Sequence, residues 1–253
     1  MNALDFILWI ALPYAGMAVF IVGHIWRYRY DQFGWTSRSS EVYESRLLRL
    51  GSPMFHFGIL MVLAGHVAGL LIPAEWLYAI GIDEHMYHWG ATVLGTAAAA
   101  MLVAGLGILI YRRRSNGPVF LATTVMDKIM YVFLGLTILI GTAATIAHQI
   151  IGGGYNYRET ISPWVRSILL FQPDPALMID APLLFQLHAL TATLLFILWP
   201  FTRLVHVFSA PVGYLFRPYI VYRSRDEHRG SRSIRRGWEG SNLPPKTPQQ
   251  KRF

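Results

Sequence analysis

The sequence lacks cysteine altogether, although it is 253 residues long. Without cysteine the chain cannot form disulfide bonds, hold a cysteine-ligated iron–sulfur cluster, or bind haem through a thiolate or a Cys-x-x-Cys-His motif. If the chain carries electrons, a haem held by histidine is therefore the simplest centre that remains.

Charged residues are also scarce, at 14% of the chain, against about one quarter in a typical soluble domain. Long uncharged apolar stretches alternate with short charged segments, which is typical of a protein that crosses the membrane several times. The net charge of +8 would suggest nucleic acid as a partner of a soluble protein. Here the basic residues flank the apolar stretches and fill the C-terminal segment, so we predict membrane topology and no nucleic-acid partner.

The apolar stretches predict an all-α, polytopic membrane protein, because inside lipid a single segment satisfies its backbone polar groups only as a helix. Each of the five stretches has about the twenty residues that a bilayer core requires. Their predicted bounds are 3–25, 53–72, 87–111, 129–151 and 182–208. Pro13 and Pro200 lie inside the first and fifth spans and predict kinks. No repeat of fixed period is visible, which argues against an inverted-repeat transporter.

The segments between the spans differ in charge, and this difference predicts the orientation of the bundle. The segments after spans one and three are basic, with Arg27, Arg29, Arg38, Arg46, Arg49, Arg112, Arg113, Arg114 and Lys128. The segment after span two is acidic, and the two arginines of segment 152–181 are balanced by carboxylates. The positive-inside rule therefore predicts the N-terminus outside and the C-terminus in the cytoplasm.

Composition also divides the chain into two parts. Residues 1–225 form the predicted five-helix domain, whose first apolar stretch has no basic segment before it and is predicted to be a membrane helix rather than a cleavable signal peptide. Residues 226–253 are polar, basic and contain Pro and Gly, and they predict a flexible cytoplasmic tail.

Four of the nine histidines fall in two of the predicted spans, His56 and His66 in span two and His188 and His206 in span five. Histidine within a span is costly and usually functional. Because the two spans run in opposite directions, His56 should meet His206 at one depth and His66 should meet His188 at another. Each pair can take an iron between two imidazoles.

Ideal straight helices do not match these depths. The ten residues between His56 and His66 span about 15 Å, and the eighteen between His188 and His206 span about 27 Å. Helix tilt, a kink at Pro200 and tilted haem planes would have to absorb the difference of about 12 Å.

Alternatives stay open for each of these residues. A histidine-lined zinc site or proton path would also explain the four histidines. Gly58, Gly65 and Gly69 could admit a flat macrocycle or simply allow close helix packing. Arg203 could pair with a haem propionate or anchor the helix at the interface.

Several short stretches resemble the gamma subunit of respiratory nitrate reductase, the membrane cytochrome b of that enzyme. They are Phe55-His56-Phe57-Gly58, Gly65-His66, Leu187-His188, and Pro200-Phe201-Thr202-Arg203-Leu204-Val205-His206 followed by Ser209-Ala210-Pro211-Val212. The resemblance covers roughly residues 5–225. It implies two b-type haems, the outer one held by His66 and His188 and the inner one by His56 and His206.

The resemblance also implies a role in the bacterial cytoplasmic membrane. The family's subunit oxidises a quinol near the outer face and passes electrons inward. It anchors a cytoplasmic iron–sulfur subunit and a molybdenum-containing catalytic subunit, so the nitrate-reducing centre is expected outside this chain. Alternatives are a di-haem subunit of a heterodisulfide- or sulfite-reductase type of complex, a transporter with a histidine relay, and a purely structural anchor.

One position departs from the family's pattern. Where the family has a lysine near the quinol, just before helix three, this sequence has His85. A histidine there could hydrogen-bond a quinol oxygen and accept its proton, so His85 is the candidate catalytic residue. His85 and His88 could equally be interfacial; His148 is a weaker candidate, and His24 and His228 are predicted to be surface or interfacial residues.

Overall fold

The computed structural model describes residues 2–209 and Phe216, so the predicted tail 226–253 lies outside the described residues. Five helices are long and apolar enough to cross a membrane. We number them α1 (Ala3–Tyr30), α2 (Arg46–Leu71), α3 (Glu84–Ser115), α4 (Val125–Ile151) and α5 (Leu183–Leu198, continued by a 3₁₀ turn Trp199–Phe201). No strand occurs in the described part of the chain. The predicted all-α fold with five membrane helices is therefore confirmed.

Shorter elements connect the long helices. They are the 3₁₀ segments Gln32–Gly34 and Arg203–Ser209 and the helices Ala74–Ala79, Gly117–Leu121, Ile161–Leu169 and Ala176–Ile179. We call the end of the bundle at which α2 finishes the His66 end, and the opposite end the His56 end. The segment Ile161–Leu169 packs at the His66 end, against the last turns of α2 and the first turns of α1.

Helices α2 and α3 approach each other closely because glycine lies at their contact points. A Cβ built on Gly58 would lie 2.8 Å from the backbone nitrogen of Leu102, and one on Gly105 would lie 2.5 Å from that of Phe55. Neither helix could carry a side chain there without moving apart from the other. Of the two roles left open for Gly58, the structure shows helix packing.

The expected kink at Pro13 takes the form of a π-helical turn. The turn covers Ile7–Ala11, and the N–H of Leu12 bonds the carbonyl of Ile7, five residues back. Proline has no N–H, so the carbonyl of Trp9 loses its usual α-helical donor. The indole N–H of Trp164 donates to that carbonyl instead, at 3.1 Å. A buried side chain from a distant segment thus replaces the lost hydrogen bond.

Helix α5 departs from the sequence-based prediction at its end. The predicted span ran to residue 208, but the α-helix ends at Leu198 and Thr202 is extended, with φ −111° and ψ 179°. Pro200 removes a backbone donor here, and the buried guanidinium of Arg27 donates to the carbonyls of Pro200 and Thr202 at 2.6 and 3.1 Å. The prediction of a continuous fifth span to residue 208 was wrong, because Pro200 ends the helix where we expected only a kink.

Candidate functional site

The four membrane histidines lie in two pairs. The ring centroids of His56 and His206 are 6.2 Å apart, and those of His66 and His188 are 6.0 Å apart. An imidazole nitrogen binds a transition metal at about 2.0–2.1 Å, and the ring centroid lies roughly 1.2 Å behind it, so two imidazoles on opposite sides of one metal have centroids about 6.5 Å apart. Both pairs therefore have nearly the spacing of two ligands that share one metal.

All four rings also hold the same tautomer. In each of them Nδ1 lies within hydrogen-bond distance of a backbone carbonyl: Ser52 for His56 (2.7 Å), Val62 for His66 (2.8 Å), Thr137 for His188 (3.0 Å) and Arg203 for His206 (2.6 Å). A carbonyl only accepts, so Nδ1 of each neutral ring carries the proton. The lone pair of Nε2 is then left for a metal, an arrangement common among histidine ligands.

Different elements position the four rings. His56 and His66 are part of α2 and donate to carbonyls of the preceding helical turn, whereas His188 donates across to Thr137 of α4. Gly141, one turn beyond Thr137, makes room for the ring, since a Cβ there would lie only 2.6 Å from Cε1 of His188. Neither of these two α4 residues was predicted from the sequence. Their spacing of four along a span was the available signal, and by itself it is common in helix packing.

The broken end of α5 resolves the mismatch in depth. From His188 to Leu198 the α-helix covers ten residues, the same number as from His56 to His66 in α2. After Leu198 the chain turns through 3₁₀ segments and the extended Thr202 before it reaches His206. The two histidine pairs are therefore separated by the distance from His56 to His66, about 15 Å along the axis of α2.

The donor set favours haem over a metal held by protein alone. Among residues 2–209, no group of three or more His, Asp or Glu side chains is arranged to hold a metal ion. A zinc site usually takes three or four protein ligands. Each histidine pair offers two, which suits an iron whose other four ligands come from a planar macrocycle.

Comparison with known proteins identifies the family. The sequence model described as "Nitrate reductase gamma subunit" matches residues 5–225. The chain belongs to the nitrate reductase gamma subunit family.

Several curated relatives are similar over most of this gamma-family chain. The "Nitrate reductase gamma chain" of Bacillus subtilis is 47% identical over 87% of the chain and 98% of its own length. The "Respiratory nitrate reductase 2 gamma chain" of Escherichia coli is 33% identical over 84% and 94%. The "Nitrate reductase-like protein NarX" of Mycobacterium tuberculosis is 57% identical over 91% of the chain, but the chain spans only 35% of that longer protein. These matches favour nitrate reductase over the heterodisulfide- and sulfite-reductase alternatives.

Arg203 of this gamma-family chain is bound within the protein. Its Nε and Nη2 donate to the two carboxylate oxygens of Asp127 at 2.8 and 2.6 Å, and its Nη1 donates to the carbonyl of Ser37. The carboxylate that Arg203 binds here is thus a side chain of α4. Its predicted contact with a haem propionate stays a prediction.

The other predicted site residues lie near the His66 end. Within the described part of the chain, a Cβ on Gly65 would meet no atom within 4 Å, so the contact of Gly65 with a haem stays a prediction. Gly69 packs against two tyrosine hydroxyls. His85 is exposed, and its Nε2 accepts the indole N–H of Trp89 at 3.1 Å. His148 packs against aromatic rings, with its centroid 5.4 Å from that of Phe185.

Proposed function

We propose that this chain is the di-haem cytochrome b subunit of a respiratory nitrate reductase, which takes electrons from a membrane quinol. The observation that carries the proposal is the pair of histidine pairs, each with centroids about 6 Å apart and each ring with Nδ1 bonded to a carbonyl. A b-type haem bound at each pair supplies one-electron transfer, which quinol oxidation requires because the quinol loses two electrons.

The chain's own residues then orient the two cofactors. His66 and His188, whose rings lie together at the His66 end, would hold one haem on the predicted outer side, and His56 and His206 would hold the other toward the predicted cytoplasmic side. The four Nδ1–carbonyl hydrogen bonds fix the tautomer of each ring and leave its Nε2 free to bind iron. Electrons would pass inward over the distance that separates His66 from His56 on α2, and would then leave for a cytoplasmic iron–sulfur subunit.

Quinol also releases protons, and His85 is the proposed acceptor at the His66 end. Because its Nε2 already accepts the Trp89 N–H, His85 can take a proton at Nε2 only by giving up that bond. A quinol hydroxyl that displaces Trp89 would therefore meet the free lone pair directly. The role rests on position and on the resemblance to the family's lysine.

The partners are proposed on family grounds. The chain anchors an iron–sulfur subunit and a molybdenum-containing catalytic subunit at the cytoplasmic face of a bacterial inner membrane. Three adjacent arginines, Arg112–Arg114, end α3 at the His56 end, as the positive-inside rule requires of a cytoplasmic end.

Reduced-minus-oxidised visible spectra of the purified subunit and of four single variants test the proposal. The wild type should show two b-type haems. His66→Ala and His188→Ala should each remove one and the same haem, and His56→Ala and His206→Ala should each remove the other.

His24→Ala is the matched control. His24 lies in α1, and its Nδ1 bonds the Phe20 carbonyl at 2.6 Å, but its ring neighbours are Phe20, Trp35 and Phe208 rather than a second histidine. This variant should keep both haems. A wild-type spectrum without haem, or loss of one haem from both His56→Ala and His66→Ala with the other retained, would overturn the proposal.

A further inference from the structure

Arg158 is a buried cation, and two of its nitrogen donors are unused within the described residues. The residue lies in the segment between α4 and α5 and is only 6% exposed. Its Nη2 donates to the carbonyl of Ile72 at 2.9 Å, just past the end of α2. Its Nε and Nη1 are buried and have no hydrogen-bond partner among the residues that the structure describes, and its Cζ lies 4.2 Å from the ring centroid of Tyr87.

Arg158 differs from three other arginines whose side chains are only 2–11% exposed. Arg27, Arg112 and Arg203 each lie within 4.0 Å of a carboxylate, those of Asp31, Glu44 and Asp127 respectively. Within the described residues no carboxylate lies that close to Arg158. A buried cation without a counter-ion carries a large desolvation cost, so this guanidinium is suited to an anion from outside the chain.

Two phenols beside Arg158 offer a further donor. The hydroxyls of Tyr87 and Tyr157 are 2.9 Å apart. Burial, and then the hydrogen bond with Tyr87, raise the pKa of Tyr157, so its hydroxyl stays protonated. The pair holds two protons and uses one between its own oxygens, which leaves the second for another acceptor.

This cluster lies close to one of the proposed haem positions. A Cβ on Gly69 would lie 2.8 Å from the Tyr157 hydroxyl and 2.9 Å from that of Tyr87. Gly69 is three residues beyond His66 and Ile72 is six, or about 4.5 and 9 Å along a helix. The unpartnered donors therefore lie within a macrocycle's reach of the His66–His188 pair.

We infer that Arg158, assisted by the Tyr87–Tyr157 pair, binds a propionate carboxylate of the haem held by His66 and His188. The inference rests on the proposed function, since it needs a haem at that pair. A carboxylate fits better than a quinol oxygen because the site carries a full positive charge and a neutral oxygen would leave it uncompensated. Arg158 is thus a positioning and charge-setting residue for that haem.

The midpoint potential of that haem tests the inference. Arg158→Gln keeps a side-chain donor for Ile72 but removes the charge, so the propionate's negative charge is no longer balanced and oxidised iron is favoured. We expect about a tenfold shift of the redox equilibrium toward the oxidised form, equivalent to about 59 mV downward for one electron. The haem of the His56–His206 pair should keep its potential. Tyr157→Phe, a milder variant, should shift the same haem in the same direction by less.

Arg166→Gln is the matched control. Arg166 comes from the same segment and donates to the neighbouring carbonyl of Leu70 at 3.1 Å, so it also caps the end of α2. If Arg158 merely caps α2, Arg158→Gln and Arg166→Gln should both lower thermal stability and neither should shift a potential, and the inference fails. Unshifted potentials with slower reduction by a quinol analogue would also overturn it, in favour of a quinol contact. Both results presuppose a haem, whereas a wild type without haem refutes the proposed function itself.

Discussion

Gly141 on α4 gives the sharpest test of the His66–His188 pair, because it does not contact the other pair. In Gly141→Ala the new Cβ would lie 2.6 Å from Cε1 of His188 and 2.8 Å from its Nδ1, against at least 3.4 Å for an ordinary contact. The ring would have to move by about 0.8 Å, the difference between these two distances. That movement also disturbs the hydrogen bond from Nδ1 to Thr137.

Overpacking of this kind costs about 1–3 kcal/mol. At 1.4 kcal/mol per tenfold change, the haem at this pair should be held roughly 5- to 150-fold more weakly. The assay is the loss of one of two haem signals during detergent dilution, followed by reduced-minus-oxidised spectra. The haem at His56 and His206 should persist.

Gly135→Ala is the control for this substitution. Gly135 belongs to the same helix, and a Cβ there would meet no atom of the described residues within 4 Å. Alanine is also the better helix former, by up to about 1 kcal/mol, so this variant should be neutral or slightly stabilising. Equal haem retention in the two variants, or selective loss of the other haem from Gly141→Ala, would refute the steric reasoning.

Three further predictions concern charge, topology and substrate. Asp127→Asn removes the carboxylate that pairs with Arg203, and because Asp127 is only 3% exposed the change should lower the free energy of unfolding by about 3–5 kcal/mol. It should also weaken binding of the haem proposed at His56 and His206, since His206 bonds the carbonyl of Arg203. Thermal unfolding checks it against Asp31→Asn, which breaks a pair with a half-exposed carboxylate worth under about 1 kcal/mol. A reporter that is active only in the cytoplasm should be active when fused at the C-terminus, and one that is active only outside should be active when fused in segment 152–181. The reverse pattern would contradict the positive-inside reasoning. His85→Ala should keep both haems and their reduction by dithionite but slow reduction by quinol analogues, while His85→Lys retains much of the activity; normal quinol-dependent reduction in His85→Ala would remove the residue from the site.

The five helices were predictable because membrane insertion leaves a strong local signal. Runs of about twenty apolar residues bounded by charges depend on nothing elsewhere in the chain. The pairing of the histidines followed from the same signal, since antiparallel neighbours bring residues of equal depth together. The order of the spans therefore predicted that His56 meets His206 and His66 meets His188, but it left a mismatch in depth that only the break in α5 removes.

The details around Pro13 and Pro200 could not be read from the sequence. Proline predicts a disturbed helix, but the form of the disturbance depends on which distant group replaces the lost hydrogen bond. Near the first proline, Trp164 donates a hydrogen bond to the carbonyl of Trp9, and at the second, Arg27 donates to the carbonyl of Pro200 itself. The roles of Gly141 and Arg158 were missed for the same reason, since each depends on a contact with another segment.

Because α5 is broken before His206, we expect α2 and α5 to differ in how well they tolerate inserted or deleted residues. Because α2 is continuous from His56 to His66, one inserted residue between them would rotate one ligand by about 100° about the helix axis and end its pairing. The turns around Thr202 already depart from helical geometry, so an added or lost residue there can be absorbed before His206. Insertions scanned through 57–65 should therefore abolish one haem at every position, whereas those between residues 199 and 203 should often be accepted.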